Sequence, residues 1–553
     1  TLVITRRVQH LIEKVHISPE KILVITFTRY AAREMKERFE KLVNGMNYPV
    51  TFGTFHSVFY SILKQEYGIN SHHLLSEQES LIILKESLNQ TYIESDVQAE
   101  DEEELLRDIA QEIGVVKNGL YRLDEFHSQH LNTDEFTELF RAYESKKKQV
   151  HKFDFDDMLV QCYALFRKYS SVLHKWQRVV RYILIDEFQD INKVQYEVIK
   201  MLALPENNLF VVGDDDQSIY GFRGSDPEFM QDMRKDFPNL SVIPLSYNYR
   251  STEYIVGAAS RVIFHNEKRL RKQVMAFKDK GKSVHIQEVR DQTEECEYVV
   301  SELAKKLQEG WKPCEIAVLY RAGIHARMLT EMLKDRQISF QMKEYVPNFY
   351  KHFIVKDMLA YMQLAMGKRD RHLFLLICNR PVRYLARNAM SGEKLSFEDL
   401  RRFYCDKEWM QDIIDQFDID IRMIQNMAPY AAVQYIRKRI GYDDFLKKYC
   451  EEKGIPLQQC MEVLQEFEIR CKQYQNYQDL LEHVRVYTEE LEEQEKRKGY
   501  KQSVEDEKIQ LMTMHAAKGL EFRAVFIIHA NEGDIPYQKA KSVKDLEEER
   551  RLF

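Results

Sequence analysis

Six short apolar runs limit what this chain can fold into more than any other feature. They lie at residues 21–28, 182–186, 208–213, 242–245, 316–320 and 524–529, and most end in Gly, Asp, Ser or Thr. Most are continuously apolar rather than alternating, and a helical pattern follows. Strands buried on both faces read this way, so the runs predict parallel sheets covered by helices. Two polar stretches separate them, roughly residues 58–150 and 356–500, where Leu, Ile, Tyr and Phe recur at helical spacing among many charges. The expected fold is α/β, with two parallel-sheet cores, each interrupted by a mostly helical insertion. Residues 1–57 with 151–250 form the first core in this reading, and 251–355 with 501–553 the second.

A chain of 553 residues can bury several cores. No apolar stretch approaches the roughly 20 residues that cross a bilayer, and no basic-then-apolar leader opens the sequence. A membrane role is not expected, and the cytoplasm is the expected location. The 8 cysteines show no CxxC pair, which argues against a zinc ribbon or a disulfide framework. A net charge of −7 excludes a surface that is basic all over. It leaves room for a local basic groove that holds nucleic acid.

The most informative stretch is Tyr182-Ile-Leu-Ile-Asp186-Glu187-Phe188-Gln189-Asp190, an apolar strand that ends in adjacent carboxylates. In a nucleotide site Asp186 can hold Mg²⁺ while Glu187 polarises the attacking water. A bare Asp-Glu pair is more often only an acidic turn, so its neighbours decide. The next strand runs into Gly213-Asp-Asp-Asp216-Gln217-Ser-Ile-Tyr220-Gly-Phe222-Arg223-Gly224. Gln217 can sense a γ-phosphate without trapping it. Tyr220 and Phe222 can offer rings to bases, and Arg223 can add a phosphate or stacking contact. Lys146 to Lys148 and the basic run Lys268 to Lys272 read mainly as solvated faces.

These two segments resemble the second and third motifs of the UvrD/PcrA/Rep family of superfamily 1 DNA helicases. Five more segments resemble the family in order along nearly the whole chain: Ile25-Thr26-Phe27-Thr28 with Ala31 to Met35, Thr54-Phe55-His56-Ser57, Asn248-Tyr249-Arg250-Ser251, Ala317 to Arg321, and Met512-Thr513-Met514-His515 with Ala517 to Phe522. The resemblance implies two RecA-like P-loop cores facing each other across an ATP cleft, with Asp186, Glu187, Gln217 and Arg250 in catalysis. It implies Arg250 on the γ-phosphate, Tyr249 at the base and Glu521 on the ribose. It also implies a track for single-stranded DNA lined by Thr26, Phe27, Thr54, His56, Tyr220, Phe222, Arg223, Thr513 and His515.

Both ends depart from the family pattern. The single Gly-Lys-Ser, at Gly281-Lys282-Ser283, has Ala276 at the first-Gly position of a phosphate loop and a strand-like run after it. It is read as a decoy. Thr1 instead resembles the Thr of the family's phosphate loop, whose Lys would precede it, and would be a second Mg²⁺ ligand beside Asp186. Residues 546–553 resemble only the start of the sixth motif. The chain as written is therefore expected to hydrolyse ATP poorly.

The implied activity is an ATP-dependent DNA helicase and translocase, 3′-to-5′ on single-stranded DNA, acting at single-strand/duplex junctions in repair or replication. The helical insertions are expected to offer surfaces to protein partners. Two other readings stay open: a non-catalytic nucleic acid-binding or regulatory relative, and the helicase subunit of a helicase–nuclease.

Overall fold

The computed structural model describes residues 1–91, 101–342, 348–453, 457–497, 508–538 and 540–553. The chain forms two compact units. One contains Thr1–Val289, Ala517–Glu521 and His529–Phe553, and the other contains Arg290–Ala516 and Phe522–Ile528.

In the first unit, β1 (Ile22–Thr26), β2 (Thr51–Thr54), β3 (Tyr182–Ile185) and β4 (Leu209–Val211) form a parallel sheet in the order β2-β1-β3-β4. The continuous apolar runs follow from burial on both faces. Leu23, Ile25, Ile183 and Ile185 face the helices Phe55–Tyr67, Phe155–Lys168 and Lys193–Ala203. Ile22, Val24 and Leu184 face Leu2–Glu13 and Arg29–Leu42 on the other side. Alternate residues of β1 and β3 thus enter opposite cores. A two-residue parallel ladder pairs β5 (Tyr247–Asn248) with β6 (Met275–Ala276).

The run 242–245 is not a strand, contrary to the sequence reading. Val242, Ile243 and Leu245 are exposed. Pro244 sits in the middle of the run, and a proline gives no N–H to a ladder.

Three helices of this unit, Glu77–Gln90, Asp101–Gly119 and Thr133–Gln149, bury a core with no strand residue, built on Leu88, Ile109, Ile113, Phe136 and Leu139. Of the basic run beside it, Lys148 is exposed as expected, but Lys147 is not on a solvated face. The Lys147 side chain is 2% exposed, and its ammonium lies 2.5 Å from Asp157, 2.6 Å from Asp154 and 2.7 Å from Glu144. Lys117 reaches the same three carboxylates at 2.7–2.8 Å. Two ammonium groups therefore fill what would otherwise be a carboxylate cage, and the shared ions tie three helices together.

His130 is held similarly. Its ring nitrogens lie 3.2 Å from Asp108 and 3.1 Å from Glu112, one helical turn apart. The hydrogen bond to Asp108, and then that to Glu112, push its pKa up to about 9. Its stabilising contribution is complete below the ordinary histidine value of about 6.5 and disappears as pH rises through about 9. A ring-proton NMR titration of His130 should show a midpoint near 9; a midpoint near 6.5 would contradict this pairing.

In the second unit, β7 (Ile316–Tyr320), β8 (Phe340–Met342), β9 (Ile509–Thr513) and β10 (Ala524–Ile527) form a second parallel sheet in the order β10-β7-β9-β8. Ile316, Val318, Tyr320, Ile509 and Leu511 pack on the helices Gln292–Gln308 and Arg327–Asp335. A separate helical core extends from Phe349 to Tyr487. The boundary expected at 500/501 lies outside the described residues. No helix among the described residues is long and apolar enough to cross a membrane.

Candidate functional site

The carboxylates at the end of β3 are shaped by strand geometry. The Asp186 N–H donates to the Ile25 carbonyl at 2.9 Å, which extends the β1–β3 pairing by one residue. The chain then turns at Glu187, whose φ of +52° lies in the left-handed region. A glutamate seldom adopts that conformation, and such strain gathers at functional sites. The turn aims two neighbouring carboxylates differently. Gln189 Nε2 donates to Glu187 Oε2 at 2.6 Å, and Gln189 Oε1 accepts the Asp214 N–H at 2.9 Å. Gly213 permits this approach, because a Cβ there would lie 2.8 Å from Gln189 Oε1. Gln217, which is exposed, donates from Nε2 to Asp214 Oδ2 at 2.7 Å. Glu187, Gln189, Asp214 and Gln217 thus form one hydrogen-bonded line.

Thr1 precedes the helix Leu2–Glu13, and its backbone nitrogen lies 3.7 Å from Asp186 Oδ2. Burial pushes the Asp186 carboxyl above its ordinary value, reinforced by the neighbouring charge of Glu187. The half-buried Asp186 carboxylate and the hydroxyl that Thr1 carries are both hard oxygen donors. Such a set fits a Mg²⁺ ion, which would favour the ionised form.

Arg250 is set by Asn248, whose Oδ1 accepts the Arg250 and Ser251 N–H groups at 2.9 Å each. Its Nε donates to Glu521 Oε1 at 2.7 Å, with the two side chains 49% and 64% exposed. Arg250 and Glu521 pair with each other rather than with Asp186 or Glu187. The Tyr249 ring is exposed and lies 4.8 Å from that of Phe277.

The stacking candidates assemble around Tyr220. Phe27 stacks on it at 5.1 Å with planes 11° apart, and Phe222 meets it edge-on at 6.0 Å. The Arg223 guanidinium lies over both rings of its loop, 5.6 Å from Tyr220 and 5.4 Å from Phe222. Phe222 is 39% exposed. His56 lies edge-on to Phe155. Burial lowers its pKa, and the charges of Arg29 and Arg223 lower it further, so cations crowd a neutral imidazole.

Thr26 and Thr54 belong to the scaffold instead. Thr26 is 1% exposed at the end of β1. The Thr54 hydroxyl accepts the Ser57 N–H at 3.3 Å as the N-cap of Phe55–Tyr67, and the Ser57 hydroxyl returns a bond to the Thr54 backbone. Thr513 ends β9 in the second unit, where its hydroxyl accepts the Ala516 N–H at 3.2 Å, and His515 follows it.

The sequence reading missed several partners. Lys518 donates to Asp190 at 2.5 Å and to the Gln217 carbonyl at 2.7 Å, and its ammonium lies 5.1 Å from the Tyr220 ring centre. Burial pushes Asp190 up to about 6, against the pull of Lys518. The run Lys268 to Lys272 is not a free basic face: Arg269 forms a two-pronged bond to Asp216 at 3.0 and 2.6 Å, and Lys272 binds Asp214 and Asp215. The Gly281-Lys282-Ser283 segment leads into no helix before Gln292, so it lacks the helix start that a phosphate loop needs.

Comparison with known proteins bears on what this arrangement serves. Residues 1–238 match the family model for the UvrD/REP helicase N-terminal domain, and residues 243–553 that for the UvrD-like helicase C-terminal domain. Over its whole length the chain is 35% identical to YjcD of Bacillus subtilis (strain 168), provisionally named an ATP-dependent DNA helicase, and covers 73% of that protein. It is 30% identical to the ATP-dependent DNA helicase PcrA of Staphylococcus epidermidis and 29% identical to that of Staphylococcus aureus, covering 77% of each.

Proposed function

The chain belongs to the UvrD-like helicase family, and from that premise we propose that it is an ATP-driven motor on single-stranded DNA. One observation carries this reading above the others. The line from Glu187 through Gln189 and Asp214 ends at Gln217, and Lys518 joins the Gln217 carbonyl to the ring of Tyr220. Candidate hydrolysis residues and candidate base-stacking rings therefore share one hydrogen-bonded loop. A change at either end has a short mechanical path to the other.

In this proposal ATP is the substrate. Thr1 and Asp186 would hold Mg²⁺, which when bound offsets phosphate charge. Glu187, oriented by Gln189, accepts the proton of the attacking water. Gln217 reports whether a γ-phosphate is present. Arg250 exchanges Glu521 for the γ-phosphate, and the freed Glu521 turns to the ribose. Tyr249 offers its exposed ring to the base. Phe27, Tyr220, Phe222 and Arg223 grip single-stranded DNA by stacking, which tolerates any sequence, as a motor requires. Arg29 contributes a cationic edge for the backbone with the neutral His56 ring as a further contact, and Thr513 and His515 are further candidates for the contact set. Thr26 and Thr54 hold the loop ends in place.

The proposal includes two RecA-like cores, residues 1–57 with 151–250 and 251–355 with 501–553. It also includes helical insertions at 58–150 and 356–500 that serve junction DNA and protein partners. The two parallel sheets and the two strand-free helical cores support this division. Translocation 3′-to-5′, unwinding at junctions, and a place in repair or replication rest on the family resemblance.

Phe222→Ala tests the DNA half of the reading. Removing a ring that stacks on one base should raise the Kd for an oligo-dT strand roughly tenfold. Fluorescence anisotropy with labelled oligo-dT measures this, and an unchanged Kd would remove Phe222 from the track.

A further inference from the structure

The helix Val543–Leu552 carries none of the candidate site residues, yet it packs against the aromatic loop in an ordered way. It is capped by Ser542, whose hydroxyl accepts the Asp545 N–H at 3.1 Å. Lys544, Glu548 and Arg551 are spaced four and three residues apart, which places them on one helix face. That face meets the loop in reverse order. Lys544 Nζ pairs with Asp226 at 2.9 Å. Glu548 Oε1 accepts the Gly221 N–H at 2.9 Å. Arg551 Nε donates to the Ser218 carbonyl at 2.8 Å. One helix stripe therefore holds the start, middle and end of the segment that displays Tyr220, Phe222 and Arg223.

The middle contact leaves no room for a side chain on Gly221. A Cβ on Gly221 would lie 2.1 Å from Glu548 Oε2. Gly221 is not among the glycines with positive φ, so its backbone conformation would accept alanine. The three atoms nearest to that position all belong to Glu548. The helix is anchored on its far side as well. Glu547 accepts the Glu267 N–H at 2.7 Å, and the Glu547 carbonyl accepts from Asn266 at 2.9 Å. The carboxylate that holds Gly221 therefore cannot drift away without pulling on a second segment.

We infer that Lys544, Glu548 and Arg551 are positioning residues for single-strand binding: their helix holds the Tyr220–Arg223 segment in the shape that stacks on a base. This rests on the reading of that segment as a DNA contact. The helix acts through the loop and does not itself touch the strand.

The test uses the gene's complete product and labelled oligo-dT, comparing Gly221→Ala, Glu548→Ala, the double variant, Glu548→Gln and Phe222→Ala. Gly221→Ala pushes the carboxylate off the N–H, and Glu548→Ala removes it. Each should raise Kd roughly tenfold, the size of one lost stacked base. The double variant should also lose only about tenfold, because both changes break the same contact. Glu548→Gln keeps an oxygen acceptor and should bind within about threefold of the parent. The DNA concentration that half-stimulates ATP hydrolysis should move by the same factors. A single variant that leaves Kd unchanged while Phe222→Ala raises it overturns the inference. So does a double variant that loses about a hundredfold, or a Glu548→Gln variant as weak as the alanine. If Phe222→Ala itself leaves Kd unchanged, the reading of the loop falls and takes the inference with it.

Discussion

Glu187→Gln is expected to leave ATP binding in place and to lower kcat by roughly 10²- to 10⁴-fold, the usual contribution of a positioned general base. The amide matches the carboxylate in size, so the left-handed turn at residue 187 is not disturbed. Gln189 donates to Glu187 Oε2 at 2.6 Å, and the substituted side chain can present an oxygen to it equally well. What disappears is the capacity to accept a proton from water. Binding of a fluorescent ATP analogue and single-turnover hydrolysis separate the two steps. Unchanged turnover would show that another group activates the water. Weakened binding with unchanged turnover would place Glu187 on the ground-state nucleotide instead.

Arg250→Ala should lower kcat by about 10²- to 10³-fold, as expected for a cation on the transferring phosphoryl group. The ion pair with Glu521 is half exposed on both sides, and such pairs stabilise little. The guanidinium can therefore leave Glu521 for a phosphate at small cost, while the Asn248 side chain keeps its backbone in place. Glu521→Ala tests the exchange. It should change the KM for ATP while kcat stays within a few-fold of the parent. If Glu521→Ala is as damaging as Arg250→Ala, the pair is a structural unit rather than a switchable one.

The sequence disclosed those parts of the molecule that depend on local pattern. Five of the six apolar runs contain strands, and in β1, β3 and β7 burial on both faces explains the continuous signature, whereas β10 leaves Val525 and Ile527 exposed. The sixth failed for a local reason that was also present in the sequence, Pro244. Asp186, Glu187 and Gln217 were legible because strand ends and turns fix them within one segment. The remaining partners were not. Lys518 meets Asp190 from 328 residues away, and Glu548 meets Gly221 from 327. No periodicity within a window reports such a pairing. Exposure was also hidden. Thr26 and Thr54 carry hydroxyls suited to a phosphate, but one ends a buried strand and the other caps a helix. Lys147 shows the same limit in reverse: a lysine in a basic run is buried because three carboxylates from folded neighbours surround it.

The central claim is that nucleotide chemistry and single-strand binding are coupled through the loop between Gln217 and Arg223. The most direct test is the rate of ATP hydrolysis by the gene's complete product, with and without single-stranded DNA. A DNA-coupled motor predicts weak hydrolysis alone and strong stimulation by oligo-dT, abolished by Glu187→Gln. Hydrolysis indifferent to DNA, or none at all, would contradict it.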